Sequence, residues 1–247
     1  MDTTTPIFSK NDSLKFFRTL NSRVNNYFKE NNLERTGNWK LHLKTIVMFS
    51  IFLTPYFFLL AMDMPFWVYL LLNVVIGVGM AGVGMNVMHD GNHGAYSSKS
   101  WVNKFMGGSI YILAGNVYNW QVQHNVLHHT YTNISGLDED IDTKLALKLS
   151  PHGPTTKAHR YQWFYAFFLY MILTLYWGLL KDLVQFFHYK KAGLNKQTKA
   201  QNAVWLLKTT IVKTLYFSVF IGFPIYLGMP VWQAVIGFLI MNAVSGW

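Results

Sequence analysis

The sequence predicts an all-α fold: an integral membrane helical bundle with about four transmembrane helices in two hairpins, interfacial helices and a cytoplasmic histidine-rich region. Three observations carry that prediction. Of 247 residues, 51% are hydrophobic and only 13% are charged. The charges fall in blocks: between Thr45 and Met88 the only charged residue is Asp63, and none follows Lys213 up to Trp247. Five of the nine histidines occupy two short windows, His89-Asp90-Gly91-Asn92-His93 and His124-Asn125-Val126-Leu127-His128-His129.

The elements follow in order. Residues 1–44 are mostly polar and charged and lack the apolar core of a signal peptide. They read as a cytoplasmic segment with helical pieces around Leu14–Tyr27 on the membrane surface. A bilayer core takes about 20 apolar residues per helix, so Thr45–Met62 and Pro65–Met88 form a first hairpin over residues 45–88, turning at Asp63. Residues 89–213 make a histidine-box and interfacial region. Within it, Phe105–Val117 is rich in glycine and too short to cross, which suits a re-entrant or interfacial segment. Trp163–Leu180 is long enough to cross. However, Lys157 and Arg160 precede it and Lys181, Lys190 and Lys191 follow, so the positive-inside rule favours a helix in the interface. Thr214–Tyr226 and Val231–Trp247 form a second hairpin over residues 214–247, turning at Leu227-Gly228-Met229-Pro230.

The net charge of +10 does not point to nucleic acid. Basic residues crowd the segments that flank the spans: Lys10 to Lys44, Lys99 and Lys104, Lys144 to Arg160, Lys181 to Lys213. That is the pattern of loops held on the cytoplasmic side beside acidic lipid. The absence of cysteine excludes disulfides and thiolate ligands. Gly77-Val78-Gly79-Met80-Ala81-Gly82 matches the dinucleotide fingerprint, but it lies inside an uncharged span, where glycines allow close helix packing instead. Asn11-Asp12-Ser13 and Asn133-Ile134-Ser135 match a glycosylation pattern on the side assigned to the cytoplasm and read as chance matches.

The histidine windows carry the chemistry. Residues at i and i+4 share one face of a helix, so His89/His93 and His124/His128 each converge on a point. His129 points elsewhere on the helix and could reach a second metal ion. Two spans between a cytoplasmic N-terminus and His89 return the chain to the side where it began, so both windows can meet there. His42, His152, His159 and His188 have no partner at ligand spacing and read as surface or interface residues.

HDGNH after a transmembrane hairpin, then QHNVLHH about thirty residues on, resembles histidine boxes one and two of the membrane fatty acid desaturases. His129-Thr130-Tyr131-Thr132-Asn133, Gly136-Leu137-Asp138-Glu139-Asp140-Ile141-Asp142 and His159-Arg160-Tyr161-Gln162 are similar to the acyl-lipid and front-end type. The resemblance runs from about Leu14 to the last residue. It implies two iron ions at the cytoplasmic face, held by His89, His93, His124, His128 and His129 among others. It also implies O2 as co-substrate, a CoA- or lipid-linked fatty acyl substrate, and an external electron donor of cytochrome b5 or ferredoxin type. Asp90, Asn92, Asn125, Asp138, Asp140 and Asp142 are candidates to accept the second N–H of a ligand imidazole. Tyr118 and Trp120 are candidates to wall an apolar acyl tunnel. The family's third box is not in this sequence, so the single domain 1–247 is expected to be incomplete at its C-terminus and silent by itself. Two other readings stay open: a histidine-box hydroxylase of alkanes, acyl chains or carotenoids, and a non-catalytic metal-binding membrane fragment.

Overall fold

The computed structural model describes residues 15–142 and 146–247. Lys10, the Asn11–Ser13 pattern, Leu14 and Lys144 lie outside them. Among the described residues every regular element is helical.

Helix α1 (Phe16–Glu30) is amphipathic: Phe16, Phe17, Leu20, Val24 and Tyr27 line one side, and Arg18, Arg23 and Lys29 lie on the rest. No residue of it is buried. Helix α2 (Trp39–Ala61) starts six residues ahead of Thr45, because the Asn38 side chain caps it by accepting from the Lys40 amide at 3.0 Å. Helix α3 (Phe66–Asn92) follows Pro65 and runs as one rod through the first histidine window. Phe52, Tyr56 and Leu59 of α2 pack with Tyr69, Ile76 and Met80 of α3 in the main core. The glycines of the false fingerprint serve that packing. A Cβ on Gly79 would sit 2.5 Å from the Phe52 nitrogen, and one on Gly77 would sit 2.6 Å from the Met241 carbonyl oxygen.

The Gly-rich segment before the second window holds helix α4 (Ser100–Gly107) and a 3-10 turn, Gly108–Leu113, closed by Ala114 at φ 58°. Helix α5 (residues 117–131) carries the second window. Helix α6 (Lys157–Lys191) and helix α7 (Lys199–Tyr226) follow, and helix α8 (Val231–Gly246) returns after a turn at Gly228, φ 100°.

Among the described residues, four helices are long and apolar enough to cross a membrane: α2, α3, α6 and α7. This set shares α2, α3 and α7 with the expected one, but α6 stands in it where α8, a shorter apolar helix of 16 residues, was expected. Trp163–Leu180, read as long enough to cross but placed in the interface by its flanking charges, is the middle of a 35-residue helix that packs along α8. Within the basic Lys181–Lys213 segment, Lys213 is folded inward against Asp182 rather than facing water. A further difference is in the second hairpin. Its first arm begins at Lys199 rather than Thr214, because Thr198 and Gln201 form a capping box there.

Three buried tyrosines of the bundle pair their hydroxyls with backbone or with another side chain. The Tyr56 hydroxyl donates to the Val219 carbonyl at 2.5 Å, within a π-helical turn of α7, and the Tyr69 hydroxyl donates to the Gln233 carbonyl at 2.9 Å. The Tyr216 hydroxyl donates to Asn242 Oδ1 at 2.9 Å. Trp67, Leu71, Phe167, Phe168, Leu206 and Leu207 are exposed on the outer faces, as contact with lipid requires.

Candidate metal centre

Both histidine windows stand on helices locally widened to π geometry. Val83–Met88 is π-helical directly before His89, and Gln121–His128 is π-helical through the second window. Such turns concentrate at functional sites because they re-aim side chains without ending the helix.

The first window is fixed by close backbone approach. A Cβ on Gly91 would collide with the Gly107 nitrogen of α4, so glycine at the centre of HDGNH lets the two helices touch. Asn92 spans the contact, donating to the carbonyls of Met88 and Gly107 at 3.1 Å each. Its Oδ1 accepts from Gln121 at 3.2 Å and its carbonyl accepts from Asn125 at 3.1 Å. Asn92 and Asn125 therefore tie the two windows together rather than orienting an imidazole, the role in which the sequence cast them.

The five predicted histidines come together. Ring centroids lie 4.4 Å apart for His89–His93, 5.0 Å for His93–His124 and 5.2 Å for His124–His128. His129 is 4.8 Å from His93 and 4.9 Å from His124. Trp120 packs on this cluster, 4.6 Å from His124 and 5.7 Å from His89. Tyr118 does not join it. Its hydroxyl bonds to Asn195 Oδ1 at 3.3 Å and to the Lys196 amide, at the link between α6 and α7.

Carboxylates orient the second window. Asp138, fully buried, lies 3.1 Å and 3.2 Å from His128 Nδ1 through its two oxygens. A carboxylate only accepts, so Nδ1 carries the proton and Nε2 is left for a metal. The same oxygens accept from the amides of Asn133 at 2.8 Å and Asp140 at 3.0 Å. Asp140 reaches His128 Nδ1 at 3.3 Å and His124 Nδ1 at 3.5 Å, and it accepts from Gln123 at 2.7 Å. Asp90 is 3.5 Å from His89 Nδ1 and partly exposed. Asp142 lies at the exposed end of this loop.

The electrostatics favour neutral imidazole, the form that binds metal. Burial, with the neighbouring His89, His124 and His129, pushes the His93 pKa down to about 4. His124 is lowered by burial and by the other rings, against the pull of Asp140. Burial pushes Asp138 up, but the Asn133 and Asp140 amides and His128 outweigh it and hold its carboxyl below the usual range. Two groups, His89/His93/His124 and His124/His128/Asp140, place one potential ligand atom per residue within 4.8 Å of each other. The donor set therefore fits a metal pair, with Asp140 available to either role.

Residues far away in sequence complete the loop around the site. Glu139 accepts from the Tyr189 hydroxyl at 2.6 Å and from Gln185 at 3.3 Å, and Gln185 also donates to Gln123 at 2.6 Å. His188, read as a surface or interface residue with no partner at ligand spacing, lies 3.5 Å from Glu139. A cleft of about 720 Å³ adjoins His93, lined by polar residues including Ser97, Asn103, Lys104 and Gln121. Neither Tyr118 nor Trp120, the residues expected to wall an acyl tunnel, lines it.

The fatty acid desaturase family profile matches residues 65–247. The chain is 32% identical over 246 residues to the sn-1 linoleoyl-lipid 6-desaturase of Arthrospira platensis, covering 100% of this chain and 66% of that relative. It is 33% identical over 222 residues to the protein of the same name from Synechocystis sp., covering 90% and 61%. An acyl-lipid (8-3)-desaturase of Physcomitrium patens is 29% identical over 174 residues, covering 70% and 36%. The chain thus spans two thirds or less of the length of these relatives. No solved structure matches it. With a profile match over most of its length and five clustered histidines at its site, the chain belongs to the fatty acid desaturase family.

Proposed function

We propose that the protein takes part in O2-dependent desaturation of a fatty acyl chain at a di-iron centre. The convergence of His89, His93, His124, His128 and His129, with Asp138 orienting His128, carries this reading. These five imidazoles, with Asp140 close by, would hold the iron. Bound iron supplies the oxidising power that no side chain brings to an unactivated C–H bond. The chain's own part is to keep the rings neutral and aimed, to wall one side of the cluster with Trp120, and to link the two windows through Asn92. Breaking two C–H bonds to form the C=C bond yields two electrons and two protons, half of the four electrons and four protons that O2 takes in becoming two waters. A separate donor, of cytochrome b5 or ferredoxin type, supplies the rest. The names of the relatives favour a lipid-linked acyl substrate.

Expression in a host of the completed gene, third histidine box included, followed by mass spectrometry of fatty acid methyl esters tests the reaction. A new unsaturated ester that disappears with His128→Ala and persists with His152→Ala is the expected result. A hydroxylated ester would move the assignment to a hydroxylase, and normal product from His128→Ala would sink the site assignment.

The same reading puts both histidine windows, and the segment between α6 and α7, on the cytoplasmic side, with the apolar face of α1 lying on the membrane. The chain has no cysteine, so single cysteines at Lys99 and Lys196 report topology directly. Both should resist an impermeant thiol reagent in intact cells and react in inside-out vesicles; labelling of Lys196→Cys from outside would overturn the arrangement.

A further inference from the structure

One buried ion pair takes no part in the chemistry proposed above. Asp182 of α6 is 1% exposed, and Lys213 Nζ of α7 lies 2.9 Å from its Oδ2. Lys213 also donates to the carbonyls of Trp177 at 2.8 Å, Gly178 at 3.0 Å and Ala114 at 3.1 Å. Trp177 and Gly178 belong to a π-helical turn of α6, Trp177–Lys181. A widened turn leaves carbonyls short of their regular helical partners, and the ammonium supplies one. Ala114 holds a left-handed backbone at the turn just before α5. One side chain therefore grips α6 and the starting point of the helix that carries the second histidine window.

Further bonds run from that turn into α6 and α7. Asn116 Nδ2 donates to Thr209 Oγ1 at 2.8 Å, while its Oδ1 caps α5 by accepting from the Tyr118 amide at 2.9 Å. Asn119 Nδ2 donates to the Asp182 carbonyl at 2.7 Å. Apolar side chains would fill this volume at lower desolvation cost. A charged pair that also meets three backbone carbonyls fixes orientation as well as contact.

We infer that Lys213 and Asp182 are positioning residues that set the rotation and depth of α5, and with it the placement of His124, His128 and His129 against His89 and His93. The inference rests on reading the histidine cluster as a metal centre.

The test uses the intact protein in detergent, with Co2+ as the metal probe and amide hydrogen exchange as a metal-free readout. In Lys213→Met/Asp182→Asn, residues 117–131 should exchange about tenfold faster while residues 66–82 are unchanged. Its Co2+ affinity should fall about tenfold, with shifted ligand-field bands, as expected when the support behind metal ligands is removed. Lys213→Arg should restore the bands, and Thr209→Val should move both readouts the same way by less. A folded double variant with unchanged bands and unchanged exchange over 117–131 would overturn the inference. If the double variant does not fold, Thr209→Val with wild-type values on both readouts overturns it. Unaltered Co2+ bands in His128→Ala would refute the metal-centre reading, and the exchange data would still decide the clasp.

Discussion

The two histidine windows are held in place by different physics. The first sits at the end of a long span and is fixed by packing: Gly91 lets α4 touch the backbone, and the carboxylate beside it is the partly exposed Asp90. The second sits on a helix outside the main core and is fixed by charge, with fully buried Asp138 meeting His128 and two amides at once. A rigid span tolerates a weakly oriented ligand because the backbone already limits the ring. A short helix beside a loop lacks that restraint, and its carboxylates supply it.

Substitutions can break this contrast. Asp138→Ala should have the largest effect, since it strands two amides and the His128 ring in a buried site, at about 3 kcal/mol or more. Thermal unfolding of the metal-free protein, together with metal content, measures it; retention of both at wild-type levels would deny Asp138 its role. Gly91→Ala comes next. Its Cβ meets backbone atoms of α4 that cannot step aside, for about 1–3 kcal/mol, and unfolding should show the loss without any change in pH dependence.

Asp140→Asn keeps the shape and the acceptor for Gln123 but removes the charge between His124 and His128. Metal affinity should fall about tenfold with little change in stability, measured by competition with a chelator. Asp90→Asn should matter least, under about 1 kcal/mol, because an exposed pair at 3.5 Å is screened by water. An Asp90→Asn effect equal to that of Asp138→Ala would erase the distinction between the windows.

The pH dependence sharpens the same comparison. His93 has its folded pKa lowered from about 6.5 to about 4, so below pH 6.5 the unfolded chain binds a proton that the folded chain refuses. The metal-free protein should therefore lose stability as pH falls from about 6.5 toward 4, and His93→Gln should flatten that part of the profile. Asp138 acts lower: its depressed pKa contributes stability that is present above the ordinary aspartate range and lost as pH falls below that range through the lowered folded value.

Much of the molecule was legible in its residues. Long uncharged runs can satisfy backbone polar groups in lipid only as helices, so composition alone determined the all-α bundle and the α2/α3 hairpin. Ligand spacing at i and i+4 singled out His89, His93, His124 and His128, because that interval places side chains on one helix face whatever surrounds the helix, and His129 was read beside them as reaching a second metal ion. The glycines at 77 and 79 were readable as packing residues for the same local reason: no strand could precede them inside a span.

Only the tertiary structure decided which polar residues support those histidines. Asp138 and Asp140 turned inward while Asp142, in the same acidic run, stayed exposed, and a loop's fold is not encoded in any short periodicity. Gln185 and Tyr189 reach the site from α6, and Lys213 reaches the start of α5 from α7, across separations that no spacing rule spans. The charge rule placed lysines by segment and so missed Lys213, whose partner Asp182 makes burial tolerable. Sequence determines which residues can form a helix or bind a metal; whether a charge meets water or its counterion depends on the packing of helices remote in the chain.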